Sequence, residues 1–189
     1  PLQELNMVCA IVDDGKLKQP YVVKQVLNAD GSVQSTTETT VVRQVISEET
    51  SAYMREAMEQ VVAGGTGKNA YVSGYRIGGK TATSEILQEE GDVEPRYTAS
   101  FIGVAPMDDP QIAVLVAIND IPESSPHGGG AIAAPVVARI MEEVLPYIGV
   151  TPVYSDEEND RRELTVRGVI GRTEEQAADA LGQAGFEYR

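Results

Sequence analysis

Three features of the sequence predict an α/β protein of the α+β kind, with an antiparallel sheet and packed helices. Residues 1–12, 48–62 and 131–147 carry apolar side chains at helical spacing, whereas residues 97–104 and 111–119 are dense in strand formers. The segment between those strands, Ala105-Pro106-Met107-Asp108-Asp109-Pro110, is turn-rich and of hairpin length, so the two strands pair antiparallel. A glycine- and hydroxyl-rich stretch at 76–84 adds a third strand. The expected core is this sheet, backed by the helix at 131–147 and flanked by the one at 48–62.

Bulk composition narrows the function classes. Hydrophobic residues make up 42% of the 189, enough for an ordinary core; with no Trp and two Phe, aliphatic side chains and Met must fill it. A net charge of −14 and the absence of a basic patch exclude a nucleic-acid partner, because neutralising phosphates requires clustered Lys and Arg. The single cysteine, Cys9, sits among apolar neighbours and reads as a buried helix residue. It cannot form an internal disulfide, so it leaves the compartment open. No apolar run approaches the roughly 18 residues of a membrane span. The chain opens at Pro1 with neither methionine nor signal segment, and is expected to be a piece of a longer polypeptide.

Taken in order, Leu2, Leu5, Val8, Cys9 and Val12 form one helical stripe, closed by Asp13-Asp14-Gly15. Residues 21–27 read as a strand, turning at Asn28-Ala29-Asp30-Gly31 into an extended piece at 32–42. The second helix is well marked. Ser47 is its N-cap, Glu48 and Glu49 suit the positive dipole end, and Tyr53, Met54, Ala57, Met58, Val61 and Val62 form its apolar face. Glycines 64, 65 and 67 stop it. An acidic loop at 88–94 precedes the hairpin strands, and a Pro/Ser/Gly loop at 121–130 carries the one histidine, His127. The last long helix has Pro135 in its first turns and Val136, Val137, Ile140, Met141, Val144 and Leu145 as its face. Residues 155–163 are nearly all charged and read as a solvated linker. A short strand from Leu164 follows, then Thr173 as N-cap of a helix ending near Ala184.

The chemistry is concentrated at Gly74-Tyr75-Arg76-Ile77-Gly78-Gly79-Lys80-Thr81-Ala82-Thr83-Ser84-Glu85. Residues 74–81 satisfy the phosphate-loop pattern G-x-x-x-x-G-K-[ST] letter by letter. That loop needs a buried strand before it and a substantial helix after its lysine, and the flanking sequence offers neither. The second pattern is the lysine strand of serine acyl-transfer enzymes, K-T-G followed by a hydroxyl residue. Lys80-Thr81-Ala82-Thr83 meets it with one change. Alternation sends Lys80, Ala82 and Ser84 to one face of such a strand and Thr81 and Thr83 to the other. A fixed cation beside hydroxyl donors suits a substrate carboxylate, and a backbone N–H on an open edge suits an oxyanion.

The ordered set of these pieces resembles the C-terminal half of a class B penicillin-binding protein transpeptidase. Its members are Pro1-Leu2-Gln3, Gly15-Lys16-Leu17 with Pro20, Gly65-Thr66-Gly67, and Gly78-Gly79-Lys80-Thr81-Ala82-Thr83-Ser84. They continue with Ala99-Ser100-Phe101-Ile102-Gly103-Val104-Ala105-Pro106, and with Gly128-Gly129 and Ala133-Ala134-Pro135. The tail, Val166 through Gly185-Phe186, resembles the opening of a PASTA module, although Arg167 replaces its usual proline. The resemblance implies the penicillin-binding-protein/β-lactamase-like fold, with a transpeptidase portion at 1–150, a linker at 151–163 and a PASTA-like segment at 164–189.

It also implies a function: a D,D-transpeptidase of the extracytoplasmic membrane face in a Gram-positive-type bacterium, serving division or sporulation. It would cross-link peptidoglycan stem peptides ending in D-Ala-D-Ala through a serine ester and be acylated by β-lactams, without a cofactor or metal. Lys80, Thr81, Ala82, Thr83 and Ser84 would line the substrate strand. Lys80 would serve the substrate carboxylate and the catalytic network, Thr81 and Thr83 would offer hydroxyls, and the Thr83 N–H would be an oxyanion donor. Two departures stand out: Ala82 takes the place of the motif glycine, and the chain contains no S-x-x-K and no S-x-N. Nucleophile and base are therefore expected from an N-terminal half, this chain alone is expected to be inactive, and the outer edge of strand 111–119 is expected to be filled by a separately supplied N-terminal segment or by another copy, or else left open. Alternatives of other classes are a non-catalytic wall-binding module and a nucleotide-binding protein. The bland readings are Ser84 and Ser100 as strand hydroxyls, His127 as a solvated loop residue, and the 156–160 acids as a solvated face.

Overall fold

The N-terminal stripe folds as α1 (Leu2–Val12), which turns Val8, Ala10 and Val12 inward. The structure, a computed structural model, describes residues 1–87, 94–161 and 172–183. It separates into two compact units, Pro1–Val153 and Tyr154–Arg189.

After α1 the chain makes two small antiparallel pairs: β1 (Lys16–Lys18) with β4 (Val41–Gln44), and between them β2 (Gln25–Leu27) with β3 (Val33–Thr36). The expected hairpin is present, but its first strand is shorter than 21–27, and β1 lacks a sequence signature. Asp30 closes the hairpin turn, its carboxylate accepting from the backbone and hydroxyl of Ser32 at 2.9 and 2.6 Å.

Ser47 caps α2 (Glu48–Ala63), its hydroxyl accepting from the Thr50 N–H at 3.1 Å. The buried face of α2 is Ser51, Met58 and Val62, and Tyr53 and Ala57 are exposed. The apolar stripe read from the sequence is thus rotated. The cause is Ser51, a polar residue that is fully buried because its hydroxyl donates to the Ile11 carbonyl at 2.6 Å. Arg55 reinforces the junction, donating to the Val12 carbonyl at 2.8 Å.

The central sheet holds β5 (Gly78–Ile86), β6 (Arg96–Ala105) and β7 (Ile112–Pro122), antiparallel and in sequence order, as the patterning predicts. Residues across a ladder share a face. One face presents Phe101 and Ala105 of β6 to α4 (Ala134–Tyr147), whose Val137, Met141 and Leu145 are completely buried. The opposite face presents Ile102 and Val104 to Val8 and Val12 of α1 and Met58 of α2. Val136, placed on the apolar face by spacing alone, is exposed. A four-residue helix, α3 (Gly129–Ile132), leads into α4 and lies against β5 and β6. Among the described residues no strand pairs with the outer edge of β7.

In the second unit, α5 (Asp156–Arg161) occupies part of the acidic run read as linker, and Ser155 and Glu158 exchange backbone-to-side-chain bonds at its start. The same reciprocal box, Thr173 with Gln176, opens α6 (Glu174–Gln183) where the sequence places an N-cap. The strand expected from Leu164 and the loop at 88–93 lie outside the described residues.

Candidate active site

β5 is an edge strand, and the residues before it fix where it begins. Arg76 donates from Nε and Nη2 to the two carboxylate oxygens of Glu59 on α2, at 2.8 and 2.6 Å. This fork pushes the Arg76 pKa further up and fastens the lead-in to the helix. Gly79 then crosses directly over Phe101: a Cβ at residue 79 would run into the Phe101 ring and the Ile102 carbonyl. Only glycine lets the strand lie this close to the core.

The ladder register is Lys80 with Ile102, Thr81 with Phe101, Ala82 with Ser100 and Thr83 with Ala99. Lys80 and Ala82 therefore share the α1-side face, and Thr81 and Thr83 share the α4-side face, as alternation requires. Lys80, Ala82, Thr83 and Ser84 are exposed and Thr81 is half-buried. The Lys80 ammonium donates to the Thr81 carbonyl at 2.7 Å.

Both threonine hydroxyls have neighbours from other segments. Thr66, in the connector after α2, has its Oγ1 at 3.2 Å from Thr81 Oγ1. The Gly129 N–H donates to Thr83 Oγ1 at 3.2 Å. Asn69 donates to the Gly130 carbonyl at 2.8 Å, which ties the two flanking segments to each other. Gly129 and Gly130 are glycines for a steric reason: a side chain at 129 would meet the Ser100 and Ala82 carbonyls, and one at 130 the Thr66 carbonyl.

The phosphate-loop reading of 74–81 fails. Residues 78–86 are extended, the segment directly before them contains no strand, and the residues directly after Lys80 continue as strand to Ile86 where the phosphate loop needs a helix. His127 is also not the solvated loop residue expected. It is half-buried and stacked on Tyr97, ring centroids 4.1 Å apart at 11°, with Nδ1 at 2.9 Å from the Ser125 carbonyl. Burial, then the carboxylates of Glu123 and Glu85, push the Tyr97 phenol up. Cys9 is half-buried rather than buried, and desolvation raises its pKa. Ser84 and Ser100 are strand hydroxyls, as read.

Four residues of this edge strand carry one ammonium and two hydroxyls, the ammonium on the α1-side face with its bond to the Thr81 carbonyl and the hydroxyls on the α4-side face. Sequence reasoning missed Thr66, Asn69 and the Gly129 N–H as parts of the site. Their signals were the glycine density at 64–67 and 128–130, which marks close approach without saying what is approached, and the place of Gly65-Thr66-Gly67 and Gly128-Gly129 in the family resemblance.

The family described as "Penicillin binding protein transpeptidase domain" matches residues 1–142, three quarters of the chain and all of the elements that build this site. The chain belongs to the penicillin-binding protein transpeptidase family. It is 41% identical over 177 residues to stage V sporulation protein D of Bacillus subtilis, covering 90% of this chain and 27% of that protein. To the peptidoglycan D,D-transpeptidase FtsI of Escherichia coli K12 it is 41% identical over 96 residues, half of this chain and 16% of the relative. Among solved structures, the transpeptidase domain of Burkholderia pseudomallei penicillin-binding protein 3 superposes with a TM-score of 0.63 at 33% identity. It covers 79% of this chain and 43% of that one. A peptidoglycan synthetase from Bifidobacterium adolescentis gives 0.67 at 26% identity, covering 82% and 27%. The fold is therefore that of penicillin-binding protein transpeptidase domains. The chain spans 27%, 20% and 35% of three curated relatives.

Proposed function

We propose that this chain is the C-terminal portion of a peptidoglycan D,D-transpeptidase domain and supplies the wall of its active site that holds the substrate carboxylate. The observation that carries the reading is the edge strand β5, with Lys80, Thr81 and Thr83 within four successive register positions, in a chain of this family. The ammonium and the two hydroxyls take the terminal carboxylate of a stem peptide ending in D-Ala-D-Ala, or of a β-lactam. In an antiparallel ladder, backbone groups alternate between partner strand and open side. The Lys80 ammonium on the Thr81 carbonyl supports Thr81, and Thr83 two residues on, as the outward-facing pair, which aims the Thr83 N–H at a developing oxyanion.

The attacking serine and its lysine base come from the N-terminal half of the domain, since the 189 residues hold neither S-x-x-K nor S-x-N. That serine displaces the terminal D-Ala, which leaves with a proton, and an amine of a neighbouring strand then displaces the serine and restores its hydroxyl. The reaction belongs to the extracytoplasmic membrane face of a Gram-positive-type cell; among the described residues no helix is long and apolar enough to cross a membrane. Residues 151–163 are read as the linker and 164–189 as the opening of a PASTA-like module.

Labelling with a fluorescent penicillin tests the proposal. The expected result is covalent label on the serine-bearing half only when both halves are present, lost in Lys80→Ala. Label that forms without this chain, or that survives Lys80→Ala unchanged, would overturn it.

A further inference from the structure

The two hydroxyls that face the substrate carboxylate share a constraint the lysine motif does not express. A threonine hydroxyl has one proton and two lone pairs, so it can donate to an anion only if that proton is not already spent on a protein acceptor. Thr83 meets this condition through backbone: Gly129 N–H fills a lone pair of Thr83 Oγ1 at 3.2 Å and leaves the hydroxyl proton to turn outward. Among the described residues no backbone donor takes that role for Thr81. Its hydroxyl neighbour is Thr66 Oγ1, also at 3.2 Å, and either atom of that pair can donate.

We infer that Thr66 is a positioning residue for carboxylate capture: its hydroxyl donates to Thr81 Oγ1, so that the Thr81 proton points at the bound anion. The inference rests on the transpeptidase reading above and deepens it by one residue. The opposite polarity, Thr81 donating to Thr66, would turn lone pairs toward a carboxylate and repel it. Binding of the anion thus selects the arrangement in which Thr66 is the donor, and only a residue with a hydroxyl can support it.

Thr66 is well placed for this task because its segment cannot drift. The Gly67 N–H donates to the Val61 carbonyl at 2.9 Å, which anchors the connector to the last turn of α2. Gly67 is buried against the Phe101 ring, where a Cβ would come within 2.7 Å of it. Asn69 holds the Gly130 carbonyl from the other side, and Gly130 packs on the Thr66 carbonyl. The connector, β5 and the start of α3 therefore form one cradle, with a Thr66-to-Thr81 contact on one arm and a Gly129-to-Thr83 contact on the other.

The test is made in the full-length protein that carries this chain, with four variants: Thr66→Val, Thr66→Ser, Thr81→Val and Lys80→Ala. Two probes are compared, a penicillin with its free carboxylate and the same penicillin as its methyl ester. Second-order acylation rates and thermal midpoints are measured for each. The expected result is that Thr66→Val slows acylation by the free acid by about five- to tenfold, the worth of one neutral hydrogen bond. It leaves the much slower ester reaction and the thermal midpoint unchanged, and Thr66→Ser restores the rate. If Thr66→Val slows acid and ester alike, or lowers the midpoint in step with the rate, Thr66 is only structural and the inference is overturned. If Thr66→Val has no effect while Thr81→Val and Lys80→Ala slow the acid, the inference falls and the transpeptidase reading stands. If neither Thr81→Val nor Lys80→Ala slows the acid, the reading itself falls and takes the inference with it.

Discussion

Ala82 occupies the place of the motif glycine on the face of β5 that also carries Lys80, and it is exposed there. A methyl group at that point stands where a ligand laid along the strand would approach, so Ala82→Gly in the full-length protein is expected to raise the β-lactam acylation rate severalfold. An unchanged rate in stopped-flow labelling would show that the methyl lies clear of the path. Asp14 offers a different test. The hydrogen bond from Arg55, followed by the nearby Lys16 charge, holds its carboxyl below the ordinary range, with some opposing desolvation. A lowered native pKa means that the unfolded chain binds the proton more readily. The stabilisation is complete above the ordinary carboxylate range and disappears as pH falls through the lowered native value. Asp14→Asn should therefore lower the thermal midpoint slightly near neutrality, where that stabilisation is present, and change it little at acid pH, so that part of the acid-side fall disappears, measured by calorimetry from neutral to acid pH.

The elements owe their positions to a few buried anchors. Phe101 is completely buried at the centre of β6, under Gly79 and Gly67 and against the helix 134–147. Phe101→Ala is expected to lower stability by about 3–5 kcal/mol in urea unfolding, since the glycines around it have no side chains with which to fill the cavity. Ser47→Ala should cost about 1 kcal/mol, because the Thr50 N–H loses its cap. Helix periods, caps and the hairpin of β6 and β7 were all readable from sequence because each is specified within a few residues. The rotated face of α2 was not. Ser51 counts as polar in any pattern, and only its bond to the Ile11 carbonyl, forty positions away in the chain, makes it a core residue. His127 was misread for a similar reason: its stacking partner, Tyr97, lies on β6.

Across the molecule, β7 leaves one long side unpaired by any strand among the described residues, although Ile112, Val114 and Val116 pack into the core from it. An open edge of that length is a template for another strand. Adding the N-terminal half of the transpeptidase domain is expected to protect the amides of 112–122 from hydrogen exchange and to raise the thermal midpoint. Exchange at β7 that is unaffected by the added half would mean that the edge is not where the two parts join.

Periodicity, capping residues and turn chemistry were enough to specify the long helices and the three strands of the central sheet. These properties depend on interactions within a turn or a strand, and the order of residues states them directly. Folding alone decided that Thr66 would reach Thr81, that Gly129 would reach Thr83, and that Ser51 would be buried. Each of those contacts joins segments fifteen to forty-six positions apart, and the two at β5 depend on how closely glycine lets backbones approach.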